Sequence, residues 1–140
     1  MSIWFKTPDI AELKNWSRKT AVERLGIEII DIGTDYIKGT MPVDHRTYQP
    51  MGMLHGGSSA LFAETLGSFA ANYCVDRDKY YCVGLEINAN HLRGVREGIV
   101  FGIAKPLHIG KSTQVWDIQI SNEKGKLVCV ARLTMAVLAR

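Results

Sequence analysis

The chain has 140 residues, of which 46% are hydrophobic and 22% charged, and its net charge is +3. These values are typical of one soluble globular domain. The sequence has no apolar run long enough to span a membrane, no secretory signal at residues 1–6, and no Lys/Arg cluster that would indicate nucleic-acid binding. We therefore expect a single cytoplasmic domain over residues 1–140, with neither membrane nor nucleic acid as a partner.

Helix-start signals occur twice in the N-terminal segment. Thr7 and Pro8 supply a hydroxyl N-cap and a proline at the first helical position. Thr20 and Glu23 have the spacing of a capping box, and Gly26 is a stop signal. The sequence therefore predicts a helix capped by Thr7 and a second, shorter helix between Thr20 and Gly26.

The rest of the chain combines strand patterns with one long helical run. A loop covers residues 44–55, and a helix follows from Gly56 to about Cys74. The predicted strands are 27–32, 36–43, 81–90, 98–109, 113–121 and 127–138. Strands grouped around one helix indicate an α+β fold, in which an antiparallel sheet packs on that helix. Because the last strands are long and rich in Val and Ile, we expect them to form an edge that pairs with a second copy.

Three cysteines, Cys74, Cys82 and Cys129, are present without a CxxC pair. An odd number in this spacing is evidence against a disulfide framework and against a zinc site. Cys129 lies in a strand-like apolar run and is expected to be a small core residue. No metal site is predicted.

The start of the long helix is the first place suited to chemistry. Gly56 and Gly57 lie where backbone N–H groups are unpaired and the helix dipole is positive. Such a position can polarise a carbonyl group or stabilise an oxyanion. The alternative is that the two glycines only let the chain turn from loop into helix.

Glu64 is a carboxylate within a small and apolar helical run. Desolvating a carboxylate is unfavourable unless it has a partner or a function. A solvated helix position is the alternative, but Leu61 and Phe62 beside it indicate a helix that is apolar nearly all round and therefore buried. We predict that Glu64 attacks a carbonyl or takes a proton from water. Ser68, four residues later on the same face, would orient it.

His55 and Gln49 precede the helix. His55 lies nine residues before Glu64, which is about half a rotation out of phase on one helix. The two side chains would therefore point away from each other. If they cooperate, we expect Glu64 to face a site that a second subunit completes.

Segments spread over nearly the whole chain form one pattern: 41–44, 46–47, 49–50, 54–57, 63–68, 83–91, 105–110 and 114–116. With them the chain resembles the hotdog-fold acyl-CoA thioesterases. It is most similar to the small bacterial branch that hydrolyses aromatic acyl-CoA esters, including 1,4-dihydroxy-2-naphthoyl-CoA in menaquinone synthesis. The resemblance implies a long helix wrapped by a curved antiparallel sheet, paired into homodimers and usually homotetramers.

The resemblance also implies roles for the residues singled out above. Gln49 and the Gly56 amide would polarise the thioester carbonyl. Glu64, from the partner subunit, would be the nucleophile or the general base. His55 would hold the thioester and assist the leaving thiolate, and Ser68 would support Glu64 or the hydrolytic water. Because thioesters are already activated, no metal or organic cofactor is required.

The CoA moiety would be held, by the same resemblance, at three places on the predicted sheet: Gly84; His91, Leu92, Arg93 and Gly94; and His108, Ile109, Gly110, Lys111, Ser112 and Thr113. We expect Arg93, His108 and Lys111 in turns, where cationic side chains suit the phosphates of CoA. The alternative is that these charges are ordinary solvated loop residues.

Other functions compete with acyl-CoA hydrolysis. A hydratase or dehydratase on the same fold is disfavoured by the nine-residue gap from His55 to Glu64 and by Gln49. A non-catalytic acyl-CoA-binding module is disfavoured by the presence of Glu64. Acyl groups on a carrier protein are an alternative substrate. The loop at 48–54, where Met51 and Met53 depart from the family pattern, is expected to shape the acyl pocket.

Overall fold

The computed structural model describes all 140 residues and has an α+β fold with one sheet and one long helix. Its elements are α1 (Ile10–Ser17), α2 (Ala21–Arg24), β1 (Glu28–Ile32), β2 (Ile37–Val43), α3 (Gly56–Tyr73), β3 (Tyr80–His91), β4 (Gly98–Ile109), β5 (Thr113–Ser121) and β6 (Leu127–Ala139). The predicted order of elements is confirmed, and the bounds of β4 and β5 agree with the prediction. No helix is both long and apolar enough to cross a membrane.

The first helix begins later than predicted. Its N-cap is Asp9, whose side chain accepts a hydrogen bond from the Ala11 amide at 2.9 Å. Thr7 and Pro8 therefore precede the helix, and the prediction of Thr7 as the cap is wrong. Asp and Thr are both preferred N-cap residues. Its negative charge is also favourable near the positive end of the helix dipole.

The second helix begins at the predicted residue. Thr20 is its N-cap and accepts a hydrogen bond from the Val22 amide at 3.2 Å. The Thr20 amide donates to the Ser17 carbonyl, so the return bond of a capping box, from that amide to Glu23, is not made. Gly26, with φ of 72°, ends the helix.

The sheet has six antiparallel strands in the order β1-β2-β4-β5-β6-β3, and α3 packs on one of its faces. Phe62 and Leu66 of α3 lie over Gly39 of β2 and Gly102 of β4. Any Cβ at Gly102 would come within 2.7 to 2.9 Å of their side chains, and one at Gly67 of α3 within 2.5 Å of Leu133. Small residues on both sides thus allow the close approach of helix and sheet.

The free edge on the β6 side is β3, not the last strands of the chain. β5 lies between β4 and β6, and β6 lies between β5 and β3, so the prediction of an edge formed by the last strands is wrong. The length and apolar content of a strand indicate that it is buried, but they do not indicate its position in the sheet. β3 carries exposed apolar side chains in its first half, with Val83 39% and Leu85 62% exposed. Pairing of a second copy with this edge of the sheet would therefore involve β3.

Candidate active site

The start of α3 presents one free backbone donor. His55 is the N-cap, and its Nδ1 accepts a hydrogen bond from the Gly57 amide at 2.7 Å. The amides of Ser58 and Ser59 donate to the His55 carbonyl at 3.0 and 3.2 Å. The Gly56 amide has no partner within the chain. This hydrogen-bond pattern places the proton of neutral His55 on Nε2 and leaves the Gly56 N–H free for a ligand.

Gln49 supplies a second free donor from the preceding loop. The loop is held by two backbone bonds, from the Gln49 amide to the Met53 carbonyl at 2.8 Å and from the Gly52 amide to the Gln49 carbonyl at 3.0 Å. The Oε1 atom of Gln49 accepts a hydrogen bond from the Met51 amide. Because Oε1 is engaged in this way, the orientation of the side-chain amide is fixed and its NH₂ group is available to a ligand.

Gln49 and Gly56 line the same open groove of about 360 Å³, here called the Gly56 groove. Four of the residues predicted to hold CoA line it as well: His91, Leu92, Arg93 and Gly94. The imidazole of His91 lies against Gly56, since a Cβ on Gly56 would be 2.7 Å from its Nε2 atom. Its place beside the free amide was not predicted from the sequence, although the glycine at position 56 is a local sign of close approach.

Glu64 and Ser68 line a different open groove of about 540 Å³, the Glu64 groove. Its other lining residues come from α3 and the start of α2: Ala60, Leu61, Thr65, Phe69, Ala21 and Val22. Glu64 and Ser68 are both half-buried. The Ser68 hydroxyl lies 3.8 Å from the Met135 sulfur. The Glu64 groove and the Gly56 groove have no lining residue in common.

The separation of these two grooves follows from the geometry of α3. Gly56 and Glu64 are eight residues apart, which corresponds to about 12 Å along a helix axis. Strand β3 repeats this separation, because His91 lies against Gly56 while Gly84, seven residues earlier, lies against the Glu64 carboxylate. Within one protomer Glu64 is therefore too distant to act on a group held by the Gly56 amide.

The predicted CoA-binding segments are divided in the same way. Thr113 pairs with Ala136, and Val83 of β3 pairs with that same residue, so the β4–β5 turn lies at the Gly84 end of the sheet. His91 pairs with Cys129 at the opposite end. The nine residues of β3 from Val83 to His91 span about 26 Å. Residues 91–94 and 108–113 of one protomer are thus too far apart to share one phosphate group.

The three predicted cationic residues have different surroundings. Arg93 lies in the loop after β3, and Lys111 lies in the β4–β5 turn. His108 belongs to β4, so its predicted place in a turn is wrong. The pairing of β4 with β5 continues past a β-bulge between Pro106 and His108 as far as Ile109, which keeps His108 within the strand. Such an irregularity turns side chains away from the regular alternation of a strand.

The cysteines are unsuited to nucleophilic chemistry. Cys129 is fully buried, which confirms the core prediction, and Cys82 is 6% exposed. Burial raises the pKa of Cys74 to about 12 and that of Cys82 to about 11. Since the thiolate is the reactive form, these thiols are unreactive at neutral pH.

The chain is similar to known thioesterases over nearly its whole length. Residues 51–129 match the family model of the thioesterase superfamily. The 1,4-dihydroxy-2-naphthoyl-CoA hydrolase of Escherichia coli K12 is 48% identical over 97% of this chain and 99% of its own. The proofreading thioesterase EntH of Cronobacter turicensis is 48% identical over 97% of this chain and 98% of its own. A mutant of thioesterase PA1618 from Pseudomonas aeruginosa superposes with a TM-score of 0.98 and 48% identity, over 99% of this chain and 100% of that one.

Proposed function

Because this chain belongs to the thioesterase superfamily, we propose that it hydrolyses acyl-CoA thioesters with aromatic acyl groups, of the 1,4-dihydroxy-2-naphthoyl-CoA or benzoyl-CoA type. The chain is a thioesterase with the hotdog fold. The proposal extends to a single domain over residues 1–140, a cytoplasmic location, a role in menaquinone synthesis, and a homodimer or homotetramer. The observation that carries it is the convergence of two free donors, Gln49 and Gly56, in one groove beside His91.

The two donors account for activation of the thioester. The carbonyl oxygen would accept hydrogen bonds from the Gly56 amide and from the side-chain amide of Gln49. Both hydrogen bonds become stronger as negative charge develops on that oxygen. The positive end of the α3 dipole stabilises the same charge. The Nε2–H of His55 would donate to the departing CoA thiolate.

Glu64 of the partner subunit would complete the reaction. As a nucleophile, its carboxylate attacks the carbonyl carbon, CoA leaves as the thiolate, and water hydrolyses the resulting acyl anhydride. As a general base, it takes a proton from a water molecule that attacks the same carbon. Both routes consume one water and release a carboxylic acid and CoA. Ser68, in the same groove, would hold the carboxylate or the water.

A two-fold dimer through β3 would reunite the separated halves of the site. Antiparallel pairing of β3 with its copy, with Gly84 opposite the partner subunit's His91, has its axis between Ile87 and Asn88. That axis lies within β3, two residues beyond its midpoint. The arrangement brings Glu64 of one subunit toward the Gly56 groove of the other. It also pairs unpaired edge backbone and covers the exposed Val83 and Leu85.

The same arrangement would bring the two CoA-binding segments together. Residues 91–94 line the Gly56 groove of one subunit, and residues 108–113 lie at the Gly84 end of the other. Arg93 would approach the CoA phosphates from one side and Lys111 from the other. Arg and Lys both bind phosphate, Arg through paired donors and Lys as a point charge.

Free-thiol release from a panel of acyl-CoAs tests the proposed function. The panel spans naphthoyl, benzoyl, phenylacetyl, short aliphatic and long aliphatic groups. We expect the highest kcat/KM on one aromatic class. The buried cysteines should add little background to a thiol reagent. No turnover by the purified oligomer on any acyl-CoA would contradict the proposal, and turnover of the same acyl groups on a carrier protein would then identify the alternative substrate.

Replacing Gln49 with Ala is expected to lower kcat by roughly 10²-fold, because one donor to the developing oxyanion is lost. The rates are measured by thiol release at saturating substrate. Gln119→Ala, at an exposed position of β5 that lines neither groove, is the matched control and should keep its rate. An unchanged rate for Gln49→Ala would assign the polarising role to another group.

A further inference from the structure

The Glu64 carboxylate rests directly on Gly84 of β3. A Cβ atom built on Gly84 would overlap the Oε2 atom of Glu64 and lie 3.3 Å from its Cδ atom. The next neighbour is Leu133 Cδ1 at 3.8 Å, which is ordinary contact. The place that a Cβ atom at position 84 would take is thus filled by the carboxylate of Glu64.

The backbone itself does not require glycine at this position. Gly26, Gly52, Gly98 and Gly125 have positive φ, where a side chain is strained, but Gly84 does not. A β-bulge follows Gly84 in the pairing of β3 with β6. Bulges locally redirect a strand and often lie beside active sites. The glycine at 84 is therefore explained by the space that it leaves and not by its own conformation.

We propose that Gly84 is a positioning residue for Glu64, whose carboxylate occupies the place that a Cβ at position 84 would take. Because Gly84 has no Cβ, the carboxylate packs directly against the backbone of β3. This contact fixes how far the carboxylate extends from α3. A methyl group there would displace the carboxylate by about an ångström, and misplacement on that scale can cost roughly 10²-fold in rate. This inference rests on the proposed role of Glu64.

The first test separates positioning from CoA binding. In Gly84→Ala we expect kcat to fall by roughly 10²-fold, with the affinity for free CoA, measured by calorimetry, within about twofold of the original. If Gly84 contacted CoA, CoA affinity and KM would change together and kcat would change little. A kcat within about threefold of the original would also overturn the proposal.

The second test is a double-mutant cycle with a shorter carboxylate. Asp in place of Glu64 withdraws the carboxylate by one methylene group, so it no longer meets a Cβ at position 84. Glu64→Asp alone is slower than the original enzyme, but adding Gly84→Ala to it should lower kcat by less than about threefold, against roughly 10²-fold when Glu64 is present. Additive losses in the double variant would show that the two positions act independently.

Thermal unfolding provides a readout that does not depend on catalysis. Gly84→Ala should lower Tm when Glu64 is present and leave it unchanged in a Glu64→Ala background, where the overlap is absent. If Gly84→Ala alone does not fold, the same substitution should fold with Glu64→Ala. An equal loss of Tm in both backgrounds would contradict the contact. Retained activity in Glu64→Gln would instead remove the proposed catalytic role of Glu64 while leaving this contact test intact.

Discussion

Replacing Glu64 with Gln is expected to lower kcat by roughly 10³-fold or more while leaving the affinity for CoA within about twofold. Gln has nearly the same shape as Glu, so the side chain at position 64 keeps its contact with Gly84. Its amide, however, can neither attack a carbonyl carbon nor take a proton from water. The measurements are thiol release at saturating acyl-CoA and calorimetric titration with free CoA.

Glu28→Gln is the matched control for this prediction. Glu28 is exposed on β1, at the edge of the sheet opposite β3, and it lines neither groove. Its variant should keep the original rate. Turnover retained in Glu64→Gln would exclude this carboxylate from the reaction, whichever of its two chemical roles is considered.

Co-expression of two nearly inactive chains, Glu64→Gln and Gln49→Ala, is expected to restore activity to about a quarter of the original. If each site takes Gln49 from one subunit and Glu64 from the other, a mixed dimer has one site with both defects and one with none. Random pairing makes about half of the dimers mixed, which yields the expected fraction. Differently tagged chains allow the mixed oligomer to be purified and assayed by thiol release.

The control for this experiment keeps both defects on one chain. Mixed dimers of Glu64→Gln with the double variant Glu64→Gln/Gln49→Ala have no intact site and should remain inactive. If the tags demonstrate mixed dimers but the first mixture recovers no activity, both residues act within one subunit. That result would conflict with the 12 Å spacing along α3.

Elements with local signals were predictable from the sequence. The bounds of β4 and β5 and the start of α3 follow from turn glycines and from the change of apolar period. The cap of α1 was misplaced because Thr7 and Asp9 are both good caps and only the fold decides between them. The order of the strands depends on pairing between distant segments, so the position of β3 at the edge was not visible.

The candidate site shows the same division between local and distant information. Gln49 and Gly56 are seven residues apart in sequence, and their common groove could be anticipated. The division of residues 91–94 and 108–113 between opposite ends of the sheet is a matter of strand register. The contact between Glu64 and Gly84 joins residues twenty apart on different elements, and no local pattern encodes it.

Burial of the thiol groups also bears on the product of the proposed reaction. Each turnover releases free CoA, whose oxidised form, CoA disulfide, exchanges with an accessible protein thiolate to give a mixed disulfide and one free CoA. Exchange requires a thiolate on one side and access to the sulfur atom. With Cys82 and Cys129 in the core and the pKa of Cys74 raised to about 12 by burial, the chain has no sulfur suited to that exchange. An enzyme built in this way can work in a changing ratio of CoA to CoA disulfide without forming mixed disulfides with the oxidised form of its product.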